Sequence, residues 1–82
     1  MSKKRIKTLY FGRLAEITNK NEEMLEVASD QTVKELLHSI SQNYKGLEKL
    51  SFKIALNQKI VEQDEPITNA TEIALLPPFS GG

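Results

Sequence analysis

The sequence is an 82-residue chain in which 11 basic residues balance 11 acidic residues, with no cysteine and a single histidine. A chain this short supports one small domain that buries only roughly 60% of its unfolded surface. Balanced charge disfavours nucleic acid and anionic membranes as partners, and the lack of cysteine excludes disulfides, thiolate nucleophiles and cysteine zinc sites. No apolar stretch approaches the ~20 residues that span a bilayer and no signal peptide is recognisable, so we expect a cytoplasmic protein.

The N-terminal part of the sequence predicts two paired strands. The stretch RIKTLYFG is rich in β-branched and aromatic residues and ends at Gly12, which favours a first strand. In EEMLEVA, Leu25 and Val27 alternate with Met24 and Glu26, which predicts a second strand. The intervening RLAEITNKN is a connection with room for a helical turn. The basic residues of MSKKRIK favour a solvated N-terminus over a phosphate-binding arm.

The middle of the chain predicts one amphipathic helix. Thr32 followed by Glu35 is typical of a capping box at a helix start. Gly46 predicts a left-handed stop at the helix end. His38 lies away from the apolar stripe, so we expect it to be exposed and without a metal. The apolar stripe, with helical spacing, consists of Val33, Leu36, Leu37, Ile40 and Tyr44.

The C-terminal part predicts two or three further strands. The stretch SFKIALNQKIVEQ predicts a strand with Phe52, Ile54 and Leu56 on one face, a turn at 57–58 and a short return strand at 60–61. The stretch EIALL predicts a final strand that ends at Pro77, which has no N–H for a ladder. The order of elements indicates an α+β domain with a helix on one face of a single sheet. The other face is therefore polar or meets a partner.

Few groups in the sequence are suited to catalysis. The motifs HExxH and GxSxG and a glycine-rich loop after a strand are missing from the sequence. The acidic pairs Glu22–Glu23 and Asp64–Glu65 flank loops, and neighbours in a strand point to opposite faces. We interpret both pairs as solvated charge, and we expect neither an enzyme acting alone nor a metal or cofactor site.

The ending LLPPFSGG offers a different kind of reactive group. The α-carboxylate of Gly82 is ionised near neutral pH and reacts at carbon only after another protein activates it, for example as a mixed anhydride with a nucleotide phosphate. Pro77 and Pro78 favour an extended spacer, and six residues extend over roughly 20 Å. We expect a domain at 1–76 and a tail at 77–82. The alternative is a frayed end in which Phe79 packs onto the domain.

Three stretches, IKTLYFGRLAE, ALNQKIV…DEPITNATEIALLPP and LLPPFSGG, resemble the small sulfur-carrier subunit of molybdopterin synthase, a ubiquitin-like β-grasp family. The resemblance covers nearly the whole chain and implies a mixed sheet with one main helix and an extended tail. It implies that an E1-like enzyme adenylates the C-terminal glycine with ATP and that a thiocarboxylate then forms. The resemblance further implies that the tail enters the large catalytic subunit of the synthase, where sulfur passes to precursor Z (cyclic pyranopterin monophosphate). We expect that the carrier itself binds no cofactor.

Carried over by position, the resemblance also implies roles for particular residues. Gly82 is the adenylate and thiocarboxylate residue, and Gly81 gives it clearance. The inserted tail comprises Pro77, Pro78, Phe79 and Ser80, and the partner-facing surface comprises Phe11, Ile60 and Leu76.

Three alternatives stay open. A related carrier for the thiazole of thiamine, or for another sulfur-containing product, has the same fold and ending. A ubiquitin-like modifier uses the same carboxylate to form isopeptides with lysines. A plain interaction module uses its open sheet face and has an incidental tail.

Overall fold

The computed structural model describes residues 3–77. Five strands form one sheet in the order β2-β1-β5-β3-β4. The central pair, β1 and β5, is parallel, and every other neighbouring pair is antiparallel. This mixed sheet with one main helix confirms the predicted α+β, β-grasp class. The elements are β1 (Lys3–Tyr10), α1 (Arg13–Thr18), β2 (Glu22–Ala28), α2 (Val33–Asn43), a 3₁₀ turn (Leu47–Lys49), β3 (Lys53–Leu56), β4 (Lys59–Ile60) and β5 (Glu72–Leu76).

The helix α2 begins where the capping signature predicts. The Glu35 amide donates to Thr32 Oγ1 at 3.3 Å, and the Thr32 amide donates to Glu35 Oε1 at 2.9 Å, so that two otherwise unpaired amides are satisfied. The end differs from the prediction. Tyr44 already has an extended backbone with φ of −132°, and Gly46, with φ of 95°, precedes the 3₁₀ turn. Gly46 is therefore left-handed as expected but does not stop the helix.

The core lies between α2 and one face of the sheet, which we call the helix face. Its inward residues alternate along each strand, as the period of two requires. Central strand β5 is buried at Ile73, Ala74 and Leu75, and the neighbouring strands β1 and β3 pair with both of its edges. Fully buried residues of this core include Ile6, Tyr10, Ile73 and Leu75 from the sheet and Val33, Leu36 and Ile40 from α2.

A tight turn joins β3 to β4. Asn57 and Gln58 have φ of 48° and 71°, the pair of positive values typical of a two-residue hairpin turn. Asn57 Oδ1 accepts hydrogen bonds from the amides of Thr71 and Glu72 at 3.0 and 3.1 Å, which ties the turn to the start of β5. The return strand begins at Lys59, one residue earlier than predicted.

Within residues 3–77, no helix is both long enough and apolar enough to cross a membrane.

Candidate functional site

The sheet face opposite α2, which we call the open face, carries an apolar row. Leu9 pairs with Ala74, Ala74 with Ala55, and Ala55 with Ile60. Residues paired directly across a ladder share a face, so these four side chains run side by side across β1, β5, β3 and β4. Since the two alanines are small, they form a shallow floor between the larger Leu9 and Ile60. Ile60 is 51% exposed.

A second apolar pair lies next to this row, at the ends of β1 and β5. The Phe11 amide donates to the Leu75 carbonyl at 3.2 Å, so the parallel pairing continues and brings Phe11 beside Leu76. Phe11 is 44% exposed, and Leu76 is half-buried. The structure therefore brings Phe11, Leu76 and Ile60, the three residues predicted to face a partner, onto one face. We call this set, with Leu9, Ala55 and Ala74, the apolar patch.

Charged residues surround the apolar patch. Lys53 is paired with Leu76, Glu22 with Leu9, and Lys7 with Glu72. An exposed apolar centre with a polar rim is the usual composition of a protein-binding surface. Because the rim carries both signs, its charges favour one orientation of a partner rather than attraction of any polyanion.

The last described residue, Pro77, lies at the edge of the apolar patch. Pro77 follows β5 directly, is exposed, and has no N–H with which to extend the sheet. Its ring packs on Gly12, where a Cβ atom would lie only 2.9 Å from Pro77 Cγ. Gly12 itself has φ of 61° and ψ of −133°, a conformation nearly confined to glycine. The predicted tail residues Pro78, Phe79, Ser80, Gly81 and Gly82 lie outside the described residues.

A polar cluster lies on the helix face behind Phe11. Glu23 Oε2 accepts hydrogen bonds from the hydroxyls of Tyr10 at 2.5 Å and Tyr44 at 2.7 Å, and Glu23 Oε1 lies 2.9 Å from Lys20 Nζ. The two tyrosine rings meet edge to face at 6.0 Å. The cluster joins β1, β2 and the end of α2, and thereby fixes the strand end that carries Phe11.

The charges in this cluster follow from burial and hydrogen bonding. Burial raises the pKa of Tyr10 well above its ordinary value, and the neighbouring Glu23 carboxylate raises it further. Burial alone would raise the pKa of Glu23, but the bonds from Tyr10, Tyr44 and Lys20 outweigh it, and the pKa is lowered. The hydrogen bond to Glu23 raises the pKa of Lys20. Each group is thus held in its usual charge state at neutral pH.

Glu23 corrects the prediction that both acidic pairs are solvated. Its side chain is only 16% exposed, whereas Glu22, Asp64 and Glu65 are exposed as expected. The sequence did contain a signal. Tyr10 lies at an alternating position of β1 that faces the core, and a buried tyrosine hydroxyl needs a hydrogen-bond partner such as a carboxylate.

The described residues contain no group of three or more histidine, cysteine, aspartate or glutamate side chains arranged to hold a metal ion. His38 is exposed, with Nε2 at 3.1 Å from Gln42 Nε2.

Comparison with known proteins identifies the family. The model of the ThiS family matches residues 8–82. The chain belongs to the ThiS family. Its relatives include the molybdopterin synthase sulfur carrier subunit of Caenorhabditis elegans, which is 31% identical over 81 residues that cover 94% of this chain and 96% of the relative. The protein of the same name from Escherichia coli K12 is 34% identical over 82 residues, covering 94% and 99%. The resemblance noted in the sequence is thereby confirmed.

Solved structures share the fold of this ThiS-family chain. A putative molybdopterin converting factor subunit 1 from Pyrococcus furiosus matches with a TM-score of 0.83, 21% identity and coverage of 92% and 98%. The small archaeal modifier protein 1 of Methanosarcina acetivorans matches at 0.71, 25% identical over 100% of both chains. The complex of subunits 1 and 2 of the molybdopterin-converting factor from Helicobacter pylori matches at 0.65, 29% identical, covering 96% of this chain and 100% of that one.

Proposed function

We propose that this chain is the sulfur-carrier subunit of molybdopterin synthase. Its C-terminal glycine, Gly82, is adenylated, converted to a thiocarboxylate, and donates sulfur to precursor Z (cyclic pyranopterin monophosphate) in molybdenum cofactor biosynthesis. The observation that carries this proposal is the apolar patch at the root of the Gly-Gly tail, in a chain whose relatives are named sulfur carrier subunits of that synthase. The carrier is not an enzyme by itself but the sulfur-donating part of a two-subunit transferase.

The large synthase subunit is the partner that we assign to the apolar patch. Support comes from the Helicobacter pylori structure, which is a complex of subunits 1 and 2 of the molybdopterin-converting factor. The exposure of Phe11 and Ile60, on the face that also carries Leu76 at the end of β5, supports it as well. Ordering the tail on insertion costs about 1 to 2 kcal/mol for each residue. Burial of apolar area at about 25 cal/mol per Å² offsets that cost. Docking of the patch and insertion of the tail are therefore coupled.

The tail residues have separate roles in this proposal. Pro77 and Pro78 restrict the backbone to extended conformations and direct the chain away from the sheet. Phe79 and Ser80 are part of the segment that is inserted into the partner. Gly81 and Gly82 lack a Cβ atom, so they pass a narrow channel and leave the acyl carbon open to attack.

Activation requires a second protein. A carboxylate with a pKa of about 3.3 to 3.7 is an anion in the cell and a very poor acyl donor. We assign this step to an E1-like adenylating enzyme that uses ATP, with the reactions taking place in the cytoplasm. No step in the scheme needs a cofactor bound to the carrier.

A reconstituted synthase assay tests the proposal. Purified carrier in thiocarboxylate form, large subunit and precursor Z are expected to yield molybdopterin. A chain lacking Gly81 and Gly82 is expected to fold and to yield none, and Gly81→Leu is expected to behave in the same way. Full activity of the truncated chain would contradict the proposal, as would loss of the folded state in Gly81→Leu. Product formation with a thiazole precursor instead would favour the thiamine carrier.

A second candidate is a ubiquitin-like modifier. The observation that favours it is the match over the full length of small archaeal modifier protein 1 from Methanosarcina acetivorans. A modifier leaves its C-terminal glycine in isopeptide bonds to lysines. Digestion of a host lysate, followed by a search for lysines carrying a Gly-Gly remnant from this chain, separates the two functions.

A further inference from the structure

The turn between β1 and α1 contains a glycine in a conformation that a residue with a side chain rarely adopts. Gly12 has φ of 61° and ψ of −133°, and residues in such sparsely populated conformations cluster at functional sites. Gly46 also has a positive φ, of 95°, but a Cβ atom at position 46 would meet no atom within 4 Å. The two glycines therefore differ in what lies beside them.

A Cβ atom at position 12 would meet the ring of Pro77. It would lie 2.9 Å from Pro77 Cγ, but 3.8 and 3.9 Å from Cβ and Cδ of the same ring. Since ordinary carbon contacts begin at about 3.4 Å, an added methyl group would push the close pair of atoms apart by at least about 0.5 Å. The Cγ atom belongs to a closed ring, so it cannot rotate away from the contact.

The structure holds Gly12 more firmly than Pro77. The preceding amide, that of Phe11, donates to the Leu75 carbonyl at 3.2 Å. The Gly12 carbonyl accepts hydrogen bonds from two amides of the first turn of α1, at 3.0 and 3.3 Å, and α1 is fixed in the core by Leu14, which is 2% exposed. Pro77 is exposed and has no N–H that could anchor it. A side chain at position 12 would therefore displace Pro77 rather than the turn.

The same turn also carries part of the apolar patch. Phe11 lies beside Leu76, and the next position along the two chain segments brings Gly12 beside Pro77. Phe11 and Leu76 belong to the surface assigned to the partner, and Pro77 is the first residue of the tail. The contact between Gly12 and Pro77 thus joins the start of the tail to the docking surface.

We propose that Gly12 is a positioning residue for the tail. Because position 12 lacks a side chain, the Pro77 ring packs on the turn, and this contact fixes where the tail starts relative to the apolar patch. The proposal rests on the function proposed above and adds to it a residue outside the tail. Gly12 does not touch the reacting atoms. It acts through Pro77, on the point from which the tail reaches the large subunit.

The rate of sulfur transfer in a single turnover tests this role. Thiocarboxylate forms of the unmodified chain and of each variant are mixed with saturating large subunit and precursor Z, and molybdopterin formation is followed. Because misplacement by about 1 Å can lower a rate roughly 100-fold, we expect Gly12→Ala to be slower by roughly tenfold or more. Gly46→Ala is the matched control, with the same kind of backbone strain in open space. It is expected to melt at a lower temperature and to transfer sulfur at an unchanged rate.

A double variant separates the contact from the backbone strain. Pro77→Ala removes Cγ and keeps Cβ, which lies at an ordinary contact distance of 3.8 Å from the added methyl group. In this background we expect Gly12→Ala to slow transfer by less than about twofold, although the strain at position 12 is the same. If Gly12→Ala alone does not fold, the double variant is expected to restore folding.

Three results would overturn the role of Gly12. These are an equal loss of rate in both backgrounds, an unchanged rate in Gly12→Ala, and a double variant that fails to fold together with Gly12→Ala. In each case an active unmodified chain leaves the proposed function standing. An unmodified chain that transfers no sulfur contradicts the proposed function, and the role of Gly12 with it.

Discussion

Replacement of Glu23 by alanine is expected to destabilise the domain, although Glu23 lies outside the apolar patch. The change removes the acceptor of two tyrosine hydroxyls, at 2.5 and 2.7 Å. Tyr10 is only 1% exposed, so water does not replace the lost acceptor, and an unsatisfied buried donor costs about 1 to 3 kcal/mol. Tyr44 is half-buried and recovers part of its bond from water.

The expected loss is therefore about 2 kcal/mol in the free energy of unfolding at pH 7, within the range for hydrogen bonds to charged groups. The exposed ion pair between Glu23 and Lys20 adds little to the free energy of unfolding. For a domain of this size, 1 kcal/mol moves the melting temperature by roughly 4 to 8 °C. We expect Glu23→Ala to melt roughly 8 to 16 °C below the unmodified protein. Urea denaturation monitored by circular dichroism gives the free energy directly.

The same variant has a defined pH dependence. Since the folded protein holds the pKa of Glu23 below its ordinary value of 4.5, the carboxylate stabilises the fold above about pH 4.5, and this contribution disappears as pH falls through the lower folded value. The difference in the free energy of unfolding between the unmodified protein and Glu23→Ala is expected to be constant near neutral pH and to become smaller below pH 4.5. Glu22→Ala is the matched control, because Glu22 is exposed. A difference in the free energy of unfolding below about 0.5 kcal/mol at pH 7 would refute the reasoning, because substitutions at ordinary surface positions have effects of that size.

Three further outcomes follow from particular side chains. Ile60→Lys places a charge on the exposed edge of the apolar patch and is expected to weaken binding of the large subunit by at least tenfold in calorimetry, with the melting temperature unchanged. Thr8→Val is expected to raise the free energy of unfolding by about 1 kcal/mol, because Thr8 Oγ1 is buried without a partner among the described residues. Gln58→Gly is expected to raise it by about 1 kcal/mol, because position 58 has φ of 71°. Urea denaturation checks both; a loss of stability in either would contradict its explanation.

Local signals in the sequence predicted most of the elements. The capping box at Thr32 and Glu35 located the start of α2, since its chemistry involves only neighbouring residues. The stretch EIALL predicted the last strand and its end before Pro77, and β5 spans Glu72–Leu76. The end of α2 was less predictable. Tyr44 leaves the helix while its hydroxyl bonds Glu23, a residue 21 positions earlier, and such a distant contact has no local signature.

The sequence named three residues that lie in the apolar patch, but it did not predict how they are arranged. Phe11, Leu76 and Ile60 were named from a resemblance, and each belongs to a different strand or strand end. The parallel pairing of β1 with β5 brings Phe11 and Leu76 together and joins the two ends of the domain. The pairings of β3 with β5 and β4 place Ile60 on the same face. Periodicity within a strand does not determine which strands are neighbours. Gly12 likewise looked like a strand end, and its contact with Pro77 emerged only from the fold.

The central claim is that Gly82 carries sulfur. Intact-mass and fragment-ion spectra of the chain, isolated from its native host, test it most directly. The account predicts a species in which one oxygen of the C-terminal carboxylate is replaced by sulfur, and predicts that the fragments locate this change at Gly82. A C-terminus found only as free carboxylate, or joined through isopeptide bonds to lysines of other proteins, would contradict it.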